Sequence, residues 1–255
     1  MNTSEQDWQQ FFWTGFYDTL WHNRITPEKT QEEVEGVLQL LKPAPDSHIL
    51  DWCGGWGRHA ISLAKRGFRI TLLDFAPNHI QAAKEAAEQA DVQLNLICAD
   101  FRETPPEIQA DYAVNLFTAG IGYLGREQDL VALKSLHQAL KPGARFLLDT
   151  INMFWIVKNY NPSSGHFSEN GIAMLSVDQR TFDFWTNNIL SEHVLWAEDG
   201  KGLRKKQVSH TIYCAADLIL MLQQAGFEVL ELYGGFGGQP YGFDTRRLII
   251  VSQRV

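Results

Sequence analysis

The sequence predicts an α/β protein with a doubly wound, mainly parallel sheet. Short apolar runs typical of buried strands alternate with longer amphipathic patterns typical of helices. Short turns separate these patterns, which favours parallel strands with helices on both faces. The strand patterns lie at 48–52, 68–73, 93–98, 111–117 and 145–151, and the helix patterns at 58–66, 77–90 and 127–140.

A glycine-dense turn follows the first strand pattern. The apolar residues 49–50 lead into Asp51, and residues 53–57 read Cys-Gly-Gly-Trp-Gly. Strand, glycine turn and helix in this order present backbone N–H groups and a helix N-terminus to a ligand. The second strand pattern also ends in a carboxylate, Asp74. Two acids at consecutive strand ends predict a nucleoside-containing cofactor at the carboxyl edge of the sheet.

Two helical patterns precede the first strand. Residues 5–22 contain seven aromatic side chains at a spacing of three to four, which suits one amphipathic helix. Pro27 stands at the first position of a second helix, and residues 34–41 supply its apolar face. Later in the chain, Lys-Pro-Gly at 141–143 is expected to end the third helix of the alternating region.

The alternation changes after residue 151. Residues 152–171 show no regular pattern, whereas 172–214 alternate polar and apolar side chains in short runs, which predicts antiparallel strands or hairpins. We therefore expect a β-rich cap over 152–214, inserted into a core that spans 43–151 and 215–255.

The chain closes with a helix pattern at about 215–225 and strand patterns at 228–233 and 246–252. The glycine-rich loop that begins at residue 234 is too short for a crossover helix. The last two strands should therefore pair antiparallel.

Composition and charge disfavour several classes of partner. The chain has 22 Lys and Arg against 30 Asp and Glu, and its formal net charge of −8 gives no global basic field for nucleic acid or an anionic membrane. The basic cluster at 201–206 is typical of a solvated hairpin turn.

No apolar run is long enough to span a bilayer, and the polar, acidic start is unlike a signal peptide. Three cysteines without a C-x-x-C pair favour free thiols in a reducing cytosol, so we expect a cytoplasmic protein.

The glycine turn leaves two cofactor classes to compare. Residues 55–60 fit the dinucleotide fingerprint G-x-G-x-x-A, with Asp74 about twenty residues further on, so an NAD-dependent oxidoreductase stays an alternative. Three features favour S-adenosylmethionine. Asp51 would repel a pyrophosphate but attract an amine. The ammonium and sulfonium of S-adenosylmethionine suit an acidic turn. The antiparallel closing pair is unlike an all-parallel dinucleotide fold.

At these residues the chain resembles the class I S-adenosylmethionine-dependent methyltransferases, over about 45–150 and again over 215–253. More narrowly, it resembles a bacterial small-molecule group with an Asp-x-Cys-x-Gly-x-Gly-Arg-His turn. That group also has Asn-Leu-Phe-Thr on the fourth strand and Pro-Tyr-Gly before the last strand, here residues 115–118 and 240–242. Cys53 stands where the family usually has glycine.

The resemblance implies a Rossmann-like seven-stranded sheet in the order 3-2-1-4-5-7-6 with an antiparallel last strand. It also implies that residues 1–42 form an N-terminal helical lid. The implied reaction is methyl transfer from S-adenosyl-L-methionine to a small molecule, with S-adenosyl-L-homocysteine as the product.

The resemblance assigns a role to each cofactor residue. Asp51 holds the methionine ammonium, Asp74 accepts from both ribose hydroxyls, and Asp100 accepts from the adenine amine. Asp74 as a helix N-cap and Asp100 as a turn acid are the structural alternatives. The predicted cofactor residues are Asp51, Gly55, Gly57, Asp74, Phe75, Asp100, Phe101 and Asn115.

The acceptor side is less specified by the sequence. The residues predicted to take the acceptor's proton or to orient the acceptor are Tyr17, Tyr123, His210 and Tyr213, with His166, His193 and Tyr241 as further candidates. Arg58 and His59, in the first turn of the motif helix, more often pack than touch substrate. No metal site is predicted, because the sulfonium already supplies the leaving group and the histidines lack ligand spacing.

The residues after Asn115 bear on the class of acceptor. They lack the prolines of nucleic-acid amino-methyltransferases, which disfavours a flipped base and favours a small molecule. The accepting atom stays open among O, N, C and S, as does the choice between monomer and homodimer. A non-methylating S-adenosylmethionine protein, either a sensor or an enzyme of other chemistry, is the main alternative.

Overall fold

The computed structural model describes residues 11–12, 15–21, 25–168, 174–198 and 200–255. Seven of its strands form one sheet: β1 (His48–Trp52), β2 (Arg69–Asp74), β3 (Asn95–Cys98), β4 (Ala110–Asn115), β5 (Leu140–Ile151), β10 (Phe227–Tyr233) and β11 (Arg247–Arg254). Four further strands form a second sheet: β6 (Ser163–Ser168), β7 (Met174–Asp183), β8 (Asn188–Ala197) and β9 (Arg204–Thr211). The helices are α1 (Phe16–Trp21), α2 (Pro27–Leu41), α3 (Arg58–Ala64), α4 (Pro77–Gln89), α5 (Arg126–Ala139), α6 (Met153–Lys158) and α7 (Ala215–Gln224).

The order of strands in the large sheet is β3-β2-β1-β4-β5-β11-β10. Strands β1 to β5 run parallel, and β11 is antiparallel to both of its neighbours, β5 and β10. When the strands of the small sheet are left out of the numbering, this is the predicted order 3-2-1-4-5-7-6. The predicted fold class is therefore confirmed, including the antiparallel last strand and the separate antiparallel sheet.

Helices cover both faces of the large sheet. Apolar residues of α5 and α7, such as Leu136 and Leu222, pack on one face. Apolar residues of α2, α3 and α4, such as Val37, Leu63 and Ala83, pack on the other. Central strands that are covered on both sides have near-continuous apolar sequences, as in residues 70–73 of β2.

A third cluster joins α1 to the small sheet. Phe16 and Leu20 are fully buried against Met174, Leu195 and Val208. Burial of a side chain of this size stabilises the folded state by about 1.5–3 kcal/mol. This cluster fixes α1 between the small sheet and the carboxyl edge of the large one.

The local structure differs from the predictions in three places. Residues 152–171 are not irregular throughout, because they contain α6 and β6. The Asn152 side chain accepts a hydrogen bond from Phe154 N at 2.9 Å and caps α6. Six-residue elements are too short to show a periodicity.

The second difference concerns the Lys-Pro-Gly segment at 141–143. Helix α5 ends at Ala139, just before the segment as expected, but β5 already begins at Leu140 instead of at residue 145. The β4–β5 register shifts between Ala110 and Tyr112. An irregular stretch of strand is where proline is tolerated, since it needs one ladder hydrogen bond fewer.

The third difference lies in the aromatic N-terminal segment. Phe11 and Phe12 are helical, Gly15 takes a φ of +69°, and α1 begins only at Phe16. A positive φ interrupts a right-handed helix, so the described residues do not form one continuous helix. The rest of the predicted helix, residues 5–10, 13–14 and 22, lies outside the described residues.

All three cysteines are free. Within the part of the chain that the structure describes, no helix combines the length and the apolar character needed to cross a bilayer.

Candidate functional site

The carboxyl ends of neighbouring parallel strands bring three predicted cofactor residues together. Asp51 lies on β1, Asp74 ends β2 and Asn115 ends β4, and β1 pairs with both other strands. The exposed fractions of these residues are 1%, 5% and 0%. Buried polar groups are costly unless they find partners, so the partners of each group indicate what the site can bind.

Asp51 has one carboxylate oxygen without a partner. Its Oδ2 is buried and makes no hydrogen bond. Burial raises the pKa of Asp51 to about 7, although the Arg58 charge opposes this rise, and the nearby Asp74 carboxylate adds to it. An unpaired buried acceptor costs about 1–3 kcal/mol. A cation that donates N–H bonds, such as an ammonium, would remove this cost.

Asn115 provides a second unpaired acceptor nearby. Its Nδ2 donates to Trp52 O at 2.8 Å, which fixes the orientation of the amide. Its Oδ1 is buried and has no partner. Two unpaired acceptors at neighbouring strand ends suit a cationic group that carries several hydrogen-bond donors. These residues therefore fit the ammonium at the amino-acid end of S-adenosylmethionine.

The turn after β1 depends on Gly54, a residue that the sequence prediction missed. A Cβ at this position would lie 2.8 Å from Leu72 Cγ and 2.9 Å from Asp51 Cγ. The Gly54 N–H also donates to Leu73 O at 3.1 Å, tying the turn to β2. Three glycines in four residues were the available signal, but the G-x-G spacing includes only Gly55 and Gly57.

Asp74 is held by the same turn. Its Oδ2 accepts from Gly55 N at 2.8 Å, and its Oδ1 accepts from Ala76 N at 3.0 Å. The N-cap of α4 is Ala76, without a side-chain hydrogen bond, so Asp74 is not the cap. Each carboxylate oxygen can accept a second hydrogen bond, which leaves capacity for the ribose hydroxyls.

The predicted adenine residues are differently engaged. Asp100 accepts from Arg102 N at 2.8 Å and forms a two-pronged ion pair with the Arg102 guanidinium. Although burial opposes it, this pairing holds the pKa of Asp100 below its usual range. Phe101 is buried with its ring 5.4 Å from that of Trp52. Asp100 therefore has the contacts of a turn acid, and Phe101 packs against the core. The ring of Phe75, the third of these residues, lies 5.9 Å from that of Phe12.

A cavity of about 1330 Å³ lies between α1, the carboxyl edge and the inner face of the small sheet. We call it the main cavity. Tyr17, Tyr123 and His210 line it, so three of the four predicted acceptor-side residues come together. Tyr213 does not join them, because its hydroxyl donates to Asp129 Oδ2 at 2.6 Å and it lines a separate cavity of about 510 Å³. The further candidates His166 and His193 line the main cavity, whereas Tyr241 donates to Asn152 Oδ1 at 3.0 Å.

Burial tunes the ionisable groups of the main cavity. It lowers the pKa of His210 to about 4, so this imidazole is neutral at pH 7. The His210 Nε2 lies 3.1 Å from Ile121 O, which favours the tautomer with its proton on Nε2. Burial raises the pKa of Tyr123 to about 12 and that of Tyr17 further. Both phenols are therefore hydrogen-bond donors at neutral pH instead of anionic bases.

The best-oriented imidazole in the main cavity is His193. Its Nδ1 lies 2.7 Å from Asp178 Oδ1, and the two residues are direct cross-strand neighbours on β8 and β7. A carboxylate on one ring nitrogen fixes the tautomer and leaves the other nitrogen as an acceptor. Sequence reasoning named His193 but missed Asp178, since only the strand register brings them together.

The first turn of α3 has the packing role expected for it. His59 is buried with Nε2 at 2.9 Å from Glu33 Oε2, and Arg58 Nη1 lies 2.6 Å from the same oxygen. Burial would raise the pKa of Glu33, but the His59 hydrogen bond and the Arg58 charge hold it at about 2. These contacts join α2 to the glycine turn.

Comparison with known families separates the two cofactor classes. Residues 49–143 match the profile of the methyltransferase domain family. This chain carries a methyltransferase domain. The matched range begins in β1, contains the whole glycine turn and ends within β5.

Similar proteins extend over most of the chain. A putative methyltransferase from Geobacillus sp. (strain WCH70) is 24% identical over 250 residues, which is 94% of this chain and 97% of that relative. The crystal structure of an S-adenosylmethionine-dependent methyltransferase from Clostridium acetobutylicum ATCC 824 has a TM-score of 0.79 at 12% identity and covers 94% of this chain and 97% of its own. An S-adenosylmethionine-bound amino pentose methyltransferase from Micromonospora echinaspora, involved in calicheamicin biosynthesis, has a TM-score of 0.69 at 20% identity, with coverages of 94% and 97%.

The domain match, the sheet order and the unpaired acceptors agree. The prediction of a class I S-adenosylmethionine-dependent methyltransferase is confirmed, and the NAD-dependent alternative is not supported. Of the residues predicted to hold the cofactor, Asp51, Asn115 and Asp74 provide hydrogen-bond acceptors at neighbouring strand ends.

Proposed function

We propose that the methyltransferase acts on a small molecule bound in the main cavity. The observation that carries this proposal is the composition of the cavity wall. Aromatic side chains such as Tyr17, Trp21 and Phe117 face one side, and ionisable residues of the small sheet face the other. A cavity with an apolar wall and a few polar groups suits a small, partly apolar acceptor with hydrogen-bonding groups.

The residues of the carboxyl edge would position the cofactor. Asp51 Oδ2 and Asn115 Oδ1 would accept from its ammonium, and Asp74 would accept from its ribose hydroxyls. S-adenosylmethionine supplies an electrophilic methyl group whose sulfonium is the leaving group. Alignment of the acceptor nucleophile with that methyl group is what the cavity contributes, and it lowers the barrier by several kcal/mol.

Two groups of residues would handle the acceptor. The lid, α1 with Phe11 and Phe12, excludes water from the reacting groups. His193, oriented by Asp178, would accept the proton that the nucleophile loses. Tyr123 and His210, whose rings are 4.6 Å apart, would orient the acceptor by hydrogen bonds.

The acceptor class is a further part of the proposal. One structural neighbour is named as an amino pentose methyltransferase, and a small hydroxylated amine combines the polar and apolar character of the cavity wall. The net charge of −8 disfavours nucleic acid.

We also propose that the protein is a cytoplasmic monomer or homodimer. Its domains would be an N-terminal helical lid domain over 1–42, which contains α1, a core over 43–151 and 215–255, and a cap over 152–214.

The first test is calorimetric titration with S-adenosylmethionine, S-adenosylhomocysteine and NAD in parallel. We expect micromolar binding of the two adenosyl ligands and none of NAD. A labelled methyl donor then screens small amines, phenols and carbon acids, with bulk tRNA as a separate substrate. Label transfer to tRNA alone would overturn the small-molecule proposal, and binding without any transfer would favour a non-methylating protein.

A further inference from the structure

His79 lies at the junction of the lid and the cofactor site. It is the third residue of α4 and is 4% exposed. Its Nε2 is 2.8 Å from Asp18 Oδ1 on α1, and its Nδ1 is 3.4 Å from Asp74 Oδ1. One imidazole thus bridges a carboxylate of the lid and the carboxylate assigned to the ribose.

Aromatic rings surround the same imidazole. The rings of Phe12, Tyr17 and Trp56 have centroids at 6.4, 6.2 and 5.9 Å from that of His79. Phe12 and Tyr17 belong to the lid, and Trp56 belongs to the glycine turn. These three rings pack around the imidazole where the lid meets the glycine turn.

The charge of His79 follows from its carboxylate neighbours. Burial alone would lower the pKa of this imidazole, and its place in the first turn of a helix also disfavours a positive charge. The hydrogen bond to Asp18 and the contact with Asp74 outweigh both effects and raise the pKa to about 9. His79 is therefore an imidazolium at neutral pH.

A second contact ties the lid to the same helix. Asn78 Nδ2 donates to Asp18 Oδ2 at 3.2 Å and to Phe12 O at 3.4 Å. Both oxygens of Asp18 are thus engaged by consecutive residues of α4. Asp18 is the only acidic residue of α1, and its carboxylate makes both of the hydrogen bonds described between this helix and α4.

We infer that Asp18, His79 and Asp74 form a latch that couples docking of the lid to binding of the cofactor. His79 is a positioning residue in this latch, because it acts on the cofactor through Asp74. With Asp18 in place, the imidazolium stays 3.4 Å from Asp74 Oδ1, where its charge attracts the carboxylate as an ion pair without a hydrogen bond. Without Asp18, the buried imidazolium loses its charged partner from the lid. The inference rests on the proposed ribose role of Asp74 and adds the dependence of that role on α1.

Coupling of this kind is reciprocal. If lid docking strengthens cofactor binding, the bound cofactor stabilises the docked lid by the same factor. The coupling can therefore be measured from either side. S-adenosylhomocysteine is a suitable probe, since it needs no acceptor and undergoes no turnover.

The affinity for S-adenosylhomocysteine is measured by calorimetry for wild type, Asp18→Ala, His79→Gln and the double variant. We expect each single variant to bind about tenfold more weakly, within the usual range for coupled sites. The double variant should lose little more than either single one, because both substitutions open the same latch. Glu35→Gln is the matched control, since Glu35 pairs with Arg66 on the surface of α2 and should leave the affinity unchanged.

Hydrogen exchange of the α1 amides provides the second readout. In wild type, S-adenosylhomocysteine should slow exchange at Phe16–Trp21. In Asp18→Ala this protection should disappear, while protection of the glycine turn persists. A purely structural role of Asp18 would change exchange equally with and without ligand.

The outcomes separate the latch from the cofactor assignment. Wild-type affinity in Asp74→Asn would overturn the ribose role and the latch with it. Weak binding in Asp74→Asn together with wild-type affinity in Asp18→Ala would overturn the latch alone. Additive losses in the double variant would also overturn it, because independent contacts add.

Discussion

The candidate site has a cofactor half at the carboxyl edge of the large sheet and an acceptor half in the main cavity, and the two are built in different ways. The cofactor half consists of short turns at consecutive strand ends, where Gly55 N of the glycine turn donates to Asp74 Oδ2 at 2.8 Å. The acceptor half is assembled from three distant segments, namely α1, the loop around Tyr123 and the small sheet. A site made of one local motif can be found in the sequence, whereas a site made by long-range packing depends on the fold.

Asp74→Ala tests the cofactor half and should have the largest effect of the proposed variants. Each hydrogen bond to a charged group contributes about 1.5–3 kcal/mol, so losing the ribose contacts should weaken S-adenosylhomocysteine binding more than about 100-fold. Calorimetry measures the affinity, and circular dichroism checks the fold. Unchanged affinity in a folded variant would contradict the assignment of the cofactor half.

His193→Gln tests the acceptor half. Loss of a positioned proton acceptor should lower kcat about 100-fold, whereas affinity for S-adenosylhomocysteine should stay at the wild-type value. The measurement needs an acceptor from the labelled-methyl screen. Asp178→Asn is the companion variant and should change the pH profile of kcat. An equal loss of cofactor affinity would mean that the two halves are not separable.

The pH dependence of cofactor binding sharpens the description of Asp51. Its pKa of about 7 belongs to the free protein, and only the ionised carboxylate attracts the methionine ammonium. Affinity for S-adenosylhomocysteine should therefore fall as the pH drops below 7, by up to about tenfold per pH unit. Calorimetry between pH 5.5 and 8 checks this, and Asp51→Asn should flatten the curve. A flat curve in wild type would remove Asp51 from the ammonium site.

Tyr213→Phe should give the smallest effect. The hydroxyl donates to Asp129 away from the main cavity, so methyl transfer should be unchanged. Loss of one buried hydrogen bond should lower the free energy of unfolding by about 1–2 kcal/mol. Urea unfolding measures the stability, and the labelled-methyl assay measures the transfer. A large loss of transfer would return Tyr213 to the acceptor site.

Much of the fold was predictable because its signals are local. The alternation of strands and helices, the antiparallel closing pair and the acids at strand ends are each encoded within a few consecutive residues. Asp51 and Asp74 are the clearest cases, since topology alone brings consecutive strand ends together. Gly54 was missed although it is one of three glycines in four residues, because the usual G-x-G pattern begins at Gly55.

The remaining features depend on packing between distant residues. His193 meets Asp178 only through the register of β7 and β8. His79 meets Asp18 only when α1 docks on α4. Phe101 meets Trp52 only when β3 and β1 lie in the same sheet. Sequence patterns do not specify such pairings.

The position of β11 between β5 and β10 has a consequence for the newly made chain. β5 leaves the ribosome long before β11, because the whole small sheet and α7 are translated between them. During that time the nascent chain presents an open β5 edge, which is prone to pair with other chains. We therefore expect ribosome-bound chains that end before residue 247 to be a principal substrate for chaperones that shield unpaired strands.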